Sequence, residues 1–151
     1  MKKKIVVLGF LGTNLDLGGK ARWGRWRPTI SLGQQDDLLV DRFELFYEKN
    51  FLDLAQLVQK DFQQVSPETE FNLREVVLKD PWDFQTVYSG IFDNLKDYKF
   101  DTDNEEYLVH ITTGTHVIQI CLFLLTESRH IPGKLLQTHM QKSRNPNGTY
   151  T

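Results

Sequence analysis

Apolar positions along the chain fall into two kinds of segment. Lys4–Phe10 is a continuous apolar run without alternation, which is typical of a strand covered on both faces in a parallel sheet. Residues 52–65 instead repeat apolar side chains at helical spacing and stop before Ser66-Pro67, because proline disfavours helical geometry in the residue before it. The first pattern predicts a central strand, and the second predicts an amphipathic helix.

The rest of the chain continues this alternation. Further strands are predicted at residues 42–47, 70–78, 107–111 and 133–138, and further helices at residues 80–98 and 115–129. Residues 70–78 alternate in a way that places their strand nearer the sheet edge. Asp80 is expected to cap the helix that follows, with Pro81 at its first position and Asp83 near the positive end of its dipole.

Residues 28–37 are the hardest segment to assign. Pro28 fits the first position of a helix, whereas Thr29 to Leu32 also alternate like a strand. A helix is preferred because parallel neighbouring strands need a crossover between them. The whole pattern predicts an α/β fold, a Rossmann-like three-layer sandwich with a mostly parallel sheet flanked by helices, whose ligands lie beyond the carboxyl ends of the strands.

Composition narrows the possible classes. The 151 residues, 40% hydrophobic and 25% charged, suit one globular domain, expected at residues 1–140 with a polar tail or linker at residues 141–151. The net charge of -2 means that nucleic-acid binding needs a local basic cluster. Cys121 is the single cysteine, so neither a disulfide nor a zinc site of several thiolates is expected, and a reducing cytoplasm fits best. No apolar stretch nears the roughly 20 residues that span a bilayer.

Two turns are candidates for anion binding. Gly12, Thr13 and Asn14 leave the first strand, where glycine permits close approach of backbone N–H groups to an anion. The Walker motif and the full dinucleotide-binding glycine spacing are both missing, so a plain tight turn stays an alternative. We expect this turn to lie beside a second one, because both strands end at one edge of the sheet.

The second turn joins a predicted strand to a helix whose free amides and dipole favour phosphate. It contains Thr112, Thr113, Gly114, Thr115 and His116. Threonines also cap helices for structural reasons, and the histidine suits phosphate donation or proton transfer as well as plain packing or exposure. His110, just before this turn, is expected to be a satisfied core or interface residue. The scattered histidines and acidic stretches predict no metal site, and no cofactor is predicted.

A basic and aromatic loop is the third candidate. Its cations and indoles are Lys20, Arg22, Trp23, Arg25, Trp26 and Arg27. This combination suits contacts to backbone phosphates and stacking of unpaired bases. The alternative is that the arginines snorkel around buried tryptophans.

Several segments, taken together, resemble one family. They are GFLGT at 9–13, RW at 22–23 with WRPT at 26–29, VDRFEL at 40–45, VSPETE at 65–70, DPWDF at 80–84 and YLVHITTGTH at 107–116. Over nearly its whole length the chain is similar to the amino-terminal sensor domains of the RtcR family, sigma-54-dependent activators of the bacterial RNA-repair operon. These sensors belong to the CARF group, the CRISPR-associated Rossmann folds.

The resemblance implies a function and partners. The sensor would form a homodimer whose paired carboxyl-edge loops bind an RNA fragment with a phosphorylated or cyclic-phosphate end. Binding would relieve repression of a downstream AAA+ ATPase, and DNA would be contacted only through a helix-turn-helix domain that follows in such regulators.

Two other functions stay open beside the sensor. Some CARF domains bind and cleave cyclic oligoadenylate, for which Thr13, Thr113, His116 and Lys20 would be the working set here. The domain could instead serve chiefly for dimerisation and repression, with the tryptophan-rich surface as an interface. A sensor that is not an enzyme is the preferred interpretation.

Overall fold

The computed structural model describes residues 2–35 and 37–138, so the tail predicted at residues 141–151 lies outside the described residues. Five strands form one sheet in the order β3-β2-β1-β4-β5, and all of their pairings are parallel. The strands are β1 (Lys4–Phe10), β2 (Arg42–Tyr47), β3 (Glu70–Glu75), β4 (Glu105–His110) and β5 (Gly133–Leu136). The helices are α1 (Pro28–Gly33), α2 (Leu52–Val65), α3 (Phe84–Leu95) and α4 (His116–Glu127).

Strand β1 is central, as its unbroken apolar sequence predicts. Val6 and Leu8 pack into the core shared with α3 and α4, whereas Val7 packs into the core shared with α1 and α2. Helices therefore cover both faces of the sheet, and the predicted Rossmann-like α/β fold is confirmed. No helix within residues 2–35 and 37–138 has the length and apolarity needed to cross a bilayer.

The segment that begins at Pro28, for which a helix or a strand was considered, forms a helix. Pro28 occupies the first turn of α1, and the helix buries Ile30 and Leu32 between β1 and α2. It is shorter than predicted and ends at Gly33. The helix that was predicted as the crossover between two parallel strands is therefore present.

The start of α3 differs from the prediction. Asp83, rather than Asp80, is the N-cap, because its carboxylate accepts both the N–H of Thr86 at 2.9 Å and the hydroxyl of Thr86 at 2.7 Å. Asp80 instead accepts the N–H of Trp82 at 2.9 Å, in the turn before the helix. Pro81 and Trp82 consequently lie in the loop at the carboxyl edge of the sheet.

Candidate ligand-binding cleft

A cleft of about 390 Å³ opens at the carboxyl edge of the sheet. It is lined by the loops after β1, β2, β3 and β4 and by the first turn of α4. A second cleft, of about 400 Å³, lies at the opposite edge near Lys3 and Glu105. Ligands of parallel α/β folds bind at the carboxyl edge, and 390 Å³ falls within the usual range for small-molecule sites, so the first cleft is the candidate.

The two predicted turns are in direct contact within this cleft. The hydroxyl of Thr113 donates to the carbonyl oxygen of Phe10, the last residue of β1. A Cβ atom added to Gly12 would lie 2.8 Å from Cγ2 of Thr113, so only a glycine fits there without movement. The two turns therefore form one continuous wall, as expected from strands that end at one edge.

The backbone N–H of Gly12 is already engaged, contrary to the sequence expectation. It donates to Oδ2 of Asp16 at 2.9 Å. Asp16 is fully buried and also accepts the N–H and hydroxyl of Thr29, at 3.0 and 2.6 Å, which fastens the turn to α1. Burial raises the pKa of the Asp16 carboxyl, and this effect outweighs the hydrogen bonds from Thr29 and Gly12, which lower it. Gly12 therefore lines the cleft without offering its amide, while Thr13 and Asn14 line it as its neighbours.

The threonine hydroxyls of the second turn are also used within the protein. Thr112 Oγ1 accepts the N–H of Thr138 at 2.7 Å, and Thr115 Oγ1 accepts the N–H of Ile118 at 3.1 Å as the N-cap of α4. Thr115 Oγ1 also donates to the carbonyl oxygen of Pro81 at 2.9 Å. These hydroxyls, like that of Thr113, hold the edge of the sheet together, so capping and tethering account for the cluster.

Backbone amides at the start of α4 are available to an anion. Within the described ranges, the N–H groups of His116 and Val117 have no hydrogen-bond partner. Gly114 has a φ of +94° and shapes the turn before them, and Gln119 Nε2 donates to its carbonyl oxygen at 3.1 Å. Unpaired amides at a helix N-terminus favour an anion.

Electrostatics of the cleft depend on few side chains. Among the described lining residues, Glu48 and His116 are the titratable ones, and no lysine or arginine is present. Glu48 follows β2 directly, is half-buried, and has its pKa raised by burial. An anionic ligand in this cleft would therefore meet amide dipoles and the His116 imidazole, and no lysine or arginine of the described lining.

The basic loop lies away from the cleft. Arg22 and Arg27 both pair with Asp61 of α2, at 2.7 and 2.8 Å, and Asp61 is fully buried. Burial opposes ionisation of Asp61, but hydrogen bonds from the two arginines outweigh it and lower its pKa. Trp23 packs beside both arginines, with the Arg27 guanidinium 5.1 Å from its ring. The two arginines are therefore engaged within the protein, although Trp23 is 43% exposed and is not the buried tryptophan of the packing alternative.

The other members of that loop are equally separate from the cleft. Arg25 donates to the carbonyl oxygen of Leu17, Trp26 is half-buried, and Lys20 is exposed. None of the residues from Lys20 to Arg27 lines the cleft. A role for them in ligand binding stays a prediction, and it requires a ligand that extends beyond the cleft.

Sequence reasoning missed the apolar residues of the cleft. Leu15, Phe51 and Trp82 line it together with Glu48. Trp82 is 64% exposed, which is unusual for so large an apolar side chain. The sequence signal was an isolated tryptophan beside Pro81, which we interpreted only as part of a helix start.

His110 is buried, as expected, but only partly satisfied. Its Nε2 atom lies 2.9 Å from Oγ1 of Thr138, and burial lowers its pKa to about 4. Its Nδ1 atom has no hydrogen-bond partner in the described part of the chain. Among these residues no group of three or more His, Cys, Asp or Glu side chains is arranged to hold a metal ion.

Comparison with known sequences gives two matches. The family model for RtcR, regulator of RNA terminal phosphate cyclase, matches residues 3–151. The transcriptional regulatory protein RtcR of Escherichia coli (strain K12) is 45% identical over 149 residues. That match covers 97% of this chain but only 28% of the relative, so the chain spans little more than a quarter of that protein's length.

Two solved structures share the fold. Csm6 of Enterococcus italicus bound to cyclic hexa-2'-fluoro-hexa-dAMP superposes with a TM-score of 0.69 at 15% identity, covering 99% of this chain and 36% of Csm6. Can2 of Sulfobacillus thermosulfidooxidans in complex with cyclic tetra-adenylate gives a TM-score of 0.58 at 17% identity, covering 89% of this chain and 32% of Can2. At such identities the likeness concerns the fold alone.

Proposed function

Because the chain belongs to the family of RtcR regulators of RNA terminal phosphate cyclase, we propose that it is a ligand-sensing domain that binds a phosphate-bearing RNA end or oligonucleotide. The observation that carries the proposal is the pair of unpartnered amides, of His116 and Val117, at a cleft of about 390 Å³. Ligand binding would relieve repression of an AAA+ ATPase elsewhere in the whole protein. The E. coli relative, a transcriptional regulatory protein, supports a role in regulation.

The charge of the cleft favours one form of phosphate. Glu48 opposes negative charge, and helix-terminal amides supply only about half a unit of positive charge. A cyclic phosphate or a phosphodiester carries one negative charge, whereas a terminal phosphate carries close to two at neutral pH. We therefore propose that a cyclic-phosphate end, held by the α4 amides with Thr13, Asn14 and His116 around it, is preferred over an open terminal phosphate.

Titration of labelled RNA oligonucleotides tests this proposal. The same oligonucleotide would carry a 2',3'-cyclic phosphate, a 3'-phosphate or a hydroxyl end, and binding would be followed by fluorescence anisotropy. We expect the cyclic phosphate to bind most tightly and the hydroxyl end most weakly. Equal affinity for all three ends would contradict the proposal.

His116 offers a matched pair of variants. His116→Ala should weaken binding of the phosphorylated ends about three- to tenfold, the cost of one hydrogen bond from side chain to ligand. His130→Ala is the control, because His130 is exposed beyond the far end of α4 and outside the cleft lining. Equal losses in both variants would show that the effect of the His116 change is not local.

A cleaving enzyme is the alternative function. The two solved neighbours are bound to cyclic oligonucleotides, so cyclic tetra-adenylate is the appropriate test ligand. Of the set expected for cleavage, Thr13 and His116 line the cleft, but the hydroxyl of Thr113 is bound to Phe10 and Lys20 lies outside the lining. We propose binding without cleavage. Linear products after long incubation, absent in His116→Ala, would establish the alternative.

We also propose that two copies of the domain pair through α4. This helix exposes three large apolar side chains, Ile120, Phe123 and Leu124, at 51%, 43% and 38%. An exposed apolar patch of this kind marks an interaction surface. Ile120→Glu should lower the molar mass measured by light scattering from that of a dimer to that of a monomer. Leu39→Glu, at an exposed apolar residue just before β2 and outside α4, should leave this mass unchanged.

A further inference from the structure

Two chemically different sets of residues line the carboxyl-edge cleft. The turn from Thr112 to His116 supplies backbone amides and an imidazole. Leu15, Phe51 and Trp82 add apolar surface, and Glu48 lines the same cleft. A phosphate uses the polar groups, so the apolar surface is left for another part of the ligand.

The backbone at Trp82 is held in place, and its side chain is exposed. The backbone N–H of Trp82 donates to Asp80 at 2.9 Å, and the carbonyl oxygen of Pro81 accepts the hydroxyl of Thr115 at 2.9 Å. Asp83, the next residue, is the N-cap of α3. The backbone around the indole is therefore held on both sides, and the ring is 64% exposed at the cleft. An exposed indole carried by a backbone held in this way suits stacking of a nucleobase.

Glu48 adds a hydrogen-bond acceptor to the cleft. Its carboxylate has no hydrogen-bond or ion-pair partner among residues 2–35 and 37–138, yet it is half-buried at the end of β2. A carboxylate accepts hydrogen bonds and donates none. Adenine, cytosine and guanine carry an exocyclic amine that donates to such an acceptor, whereas uracil has none.

We propose that Trp82 stacks the nucleobase next to the bound phosphate and that Glu48 accepts a hydrogen bond from its exocyclic amine. The cleft then prefers adenine, cytosine or guanine over uracil at the phosphate-bearing end. This inference rests on the proposed function, since it assigns the base that belongs to the same ligand. Trp82 thereby takes the stacking role that the sequence suggested for Trp23 and Trp26.

Four RNA oligonucleotides that differ only in the terminal nucleotide, each with a 2',3'-cyclic phosphate, test the inference. The parent chain should bind the three amino-bearing ends at least about threefold more tightly than the uridine end, which is the lower range for one hydrogen bond. Glu48→Ala should bring the four affinities to within about twofold of one another. Glu127→Ala, at an exposed glutamate at the far end of α4, should retain the preference.

Trp82→Ala should weaken binding of all four oligonucleotides at least about fivefold, the lower range for stacking of one base. Trp82→Phe should retain most of the affinity, because a phenyl ring still stacks. Phe92→Ala is the control, since Phe92 is an aromatic residue of α3 that is 36% exposed but outside the cleft lining, and it should bind like the parent chain. Circular dichroism and the urea midpoint of each variant check that it is folded.

The outcomes distinguish a failure of the base assignment from a failure of the proposed function. If the parent chain binds phosphorylated ends but Trp82→Ala and Glu48→Ala bind all four as the parent does, the base assignment is wrong and the proposed function stands. A loss in Phe92→Ala equal to that in Trp82→Ala would also overturn the assignment. If the folded parent chain binds no phosphorylated end at all, both the proposed function and this inference fail.

Discussion

Replacing Gly12 by alanine tests the contact between the two turns. The added methyl would lie 2.8 Å from Cγ2 of Thr113 and 3.0 Å from both Cβ of Thr113 and Oδ2 of Asp16. Normal contacts between carbon atoms are about 3.5–4.0 Å. Neither neighbour is a free side-chain end, because Thr113 is bound to Phe10 and Asp16 to Thr29. The methyl can therefore be accommodated only if the edge of the sheet shifts.

The expected magnitude follows from opposing effects. Overpacking costs about 1–3 kcal/mol, and restriction of the unfolded chain by alanine returns about 0.4–1 kcal/mol. We therefore expect Gly12→Ala to lower the free energy of unfolding by about 1–2 kcal/mol. Thr113→Ser removes the Cγ2 methyl and keeps the hydroxyl, and alone should cost about 0.8 kcal/mol for the lost buried carbon. In the double variant the contact between the new methyl and Cγ2 of Thr113 is gone. Its loss of unfolding free energy should therefore be smaller than the sum of the two single losses by about 0.5–1.5 kcal/mol.

Urea unfolding followed by circular dichroism, on the parent and the three variants, measures this coupling. Gly24→Ala serves as the control, because a Cβ atom there meets nothing within 4 Å, and it should not destabilise the domain. Additivity of the two changes within about 0.3 kcal/mol would refute the reasoning. So would a Gly12→Ala variant as stable as the parent, since the two turns would then not be in the contact described.

Three further predictions concern buried and charged groups. Asp61→Asn should destabilise the domain by about 3–5 kcal/mol in urea, because Arg27 loses its partner while buried. Since the pKa of Asp61 is lowered in the folded protein, the stability that ionised Asp61 contributes is complete above the usual carboxyl pKa and is lost as pH falls through the lowered pKa. The free energy of unfolding of Asp61→Asn should not show this loss. Burial raises the pKa of Glu48, and protonation removes its negative charge from the cleft. Anionic ligands should therefore bind more tightly as pH falls through this raised pKa, and Glu48→Gln should remove this pH dependence of the affinity. Cys121 is fully buried with its pKa raised to about 11, so thiol labelling should be slow in the native protein and fast in urea.

Much of the fold follows from local sequence patterns. The bounds of β1 and α2 agree with the prediction, because a strand buried on both faces and an amphipathic helix each require a distinctive spacing of apolar residues. The start of α3 was misplaced because two aspartates satisfied the same capping rule. Thr86, three residues after Asp83, decides between them by offering both an amide and a hydroxyl.

The cleft was predicted less well than the fold, because its chemistry depends on partners distant in sequence. Thr113 bonds to Phe10 from 103 residues away, and Arg27 pairs with Asp61 across 34 residues. Each of these partners removes a group that looked available for a ligand. The position of Trp82 was missed for a related reason, since it depends on where the neighbouring helix begins.

The bonds that occupy the cleft's hydroxyls also connect it to the rest of the domain. Asp16 links the first turn to α1, Thr115 links the start of α4 to the loop before α3, and Thr112 links the second turn to Thr138 beyond β5. A ligand drawn to the free amides of α4 therefore acts on the second turn, whose Thr112, Thr113 and Thr115 are bonded to Thr138, Phe10 and Pro81. We propose that a displacement of this turn would be passed through these hydrogen bonds to the neighbouring loops, which would couple ligand binding to the rest of the domain.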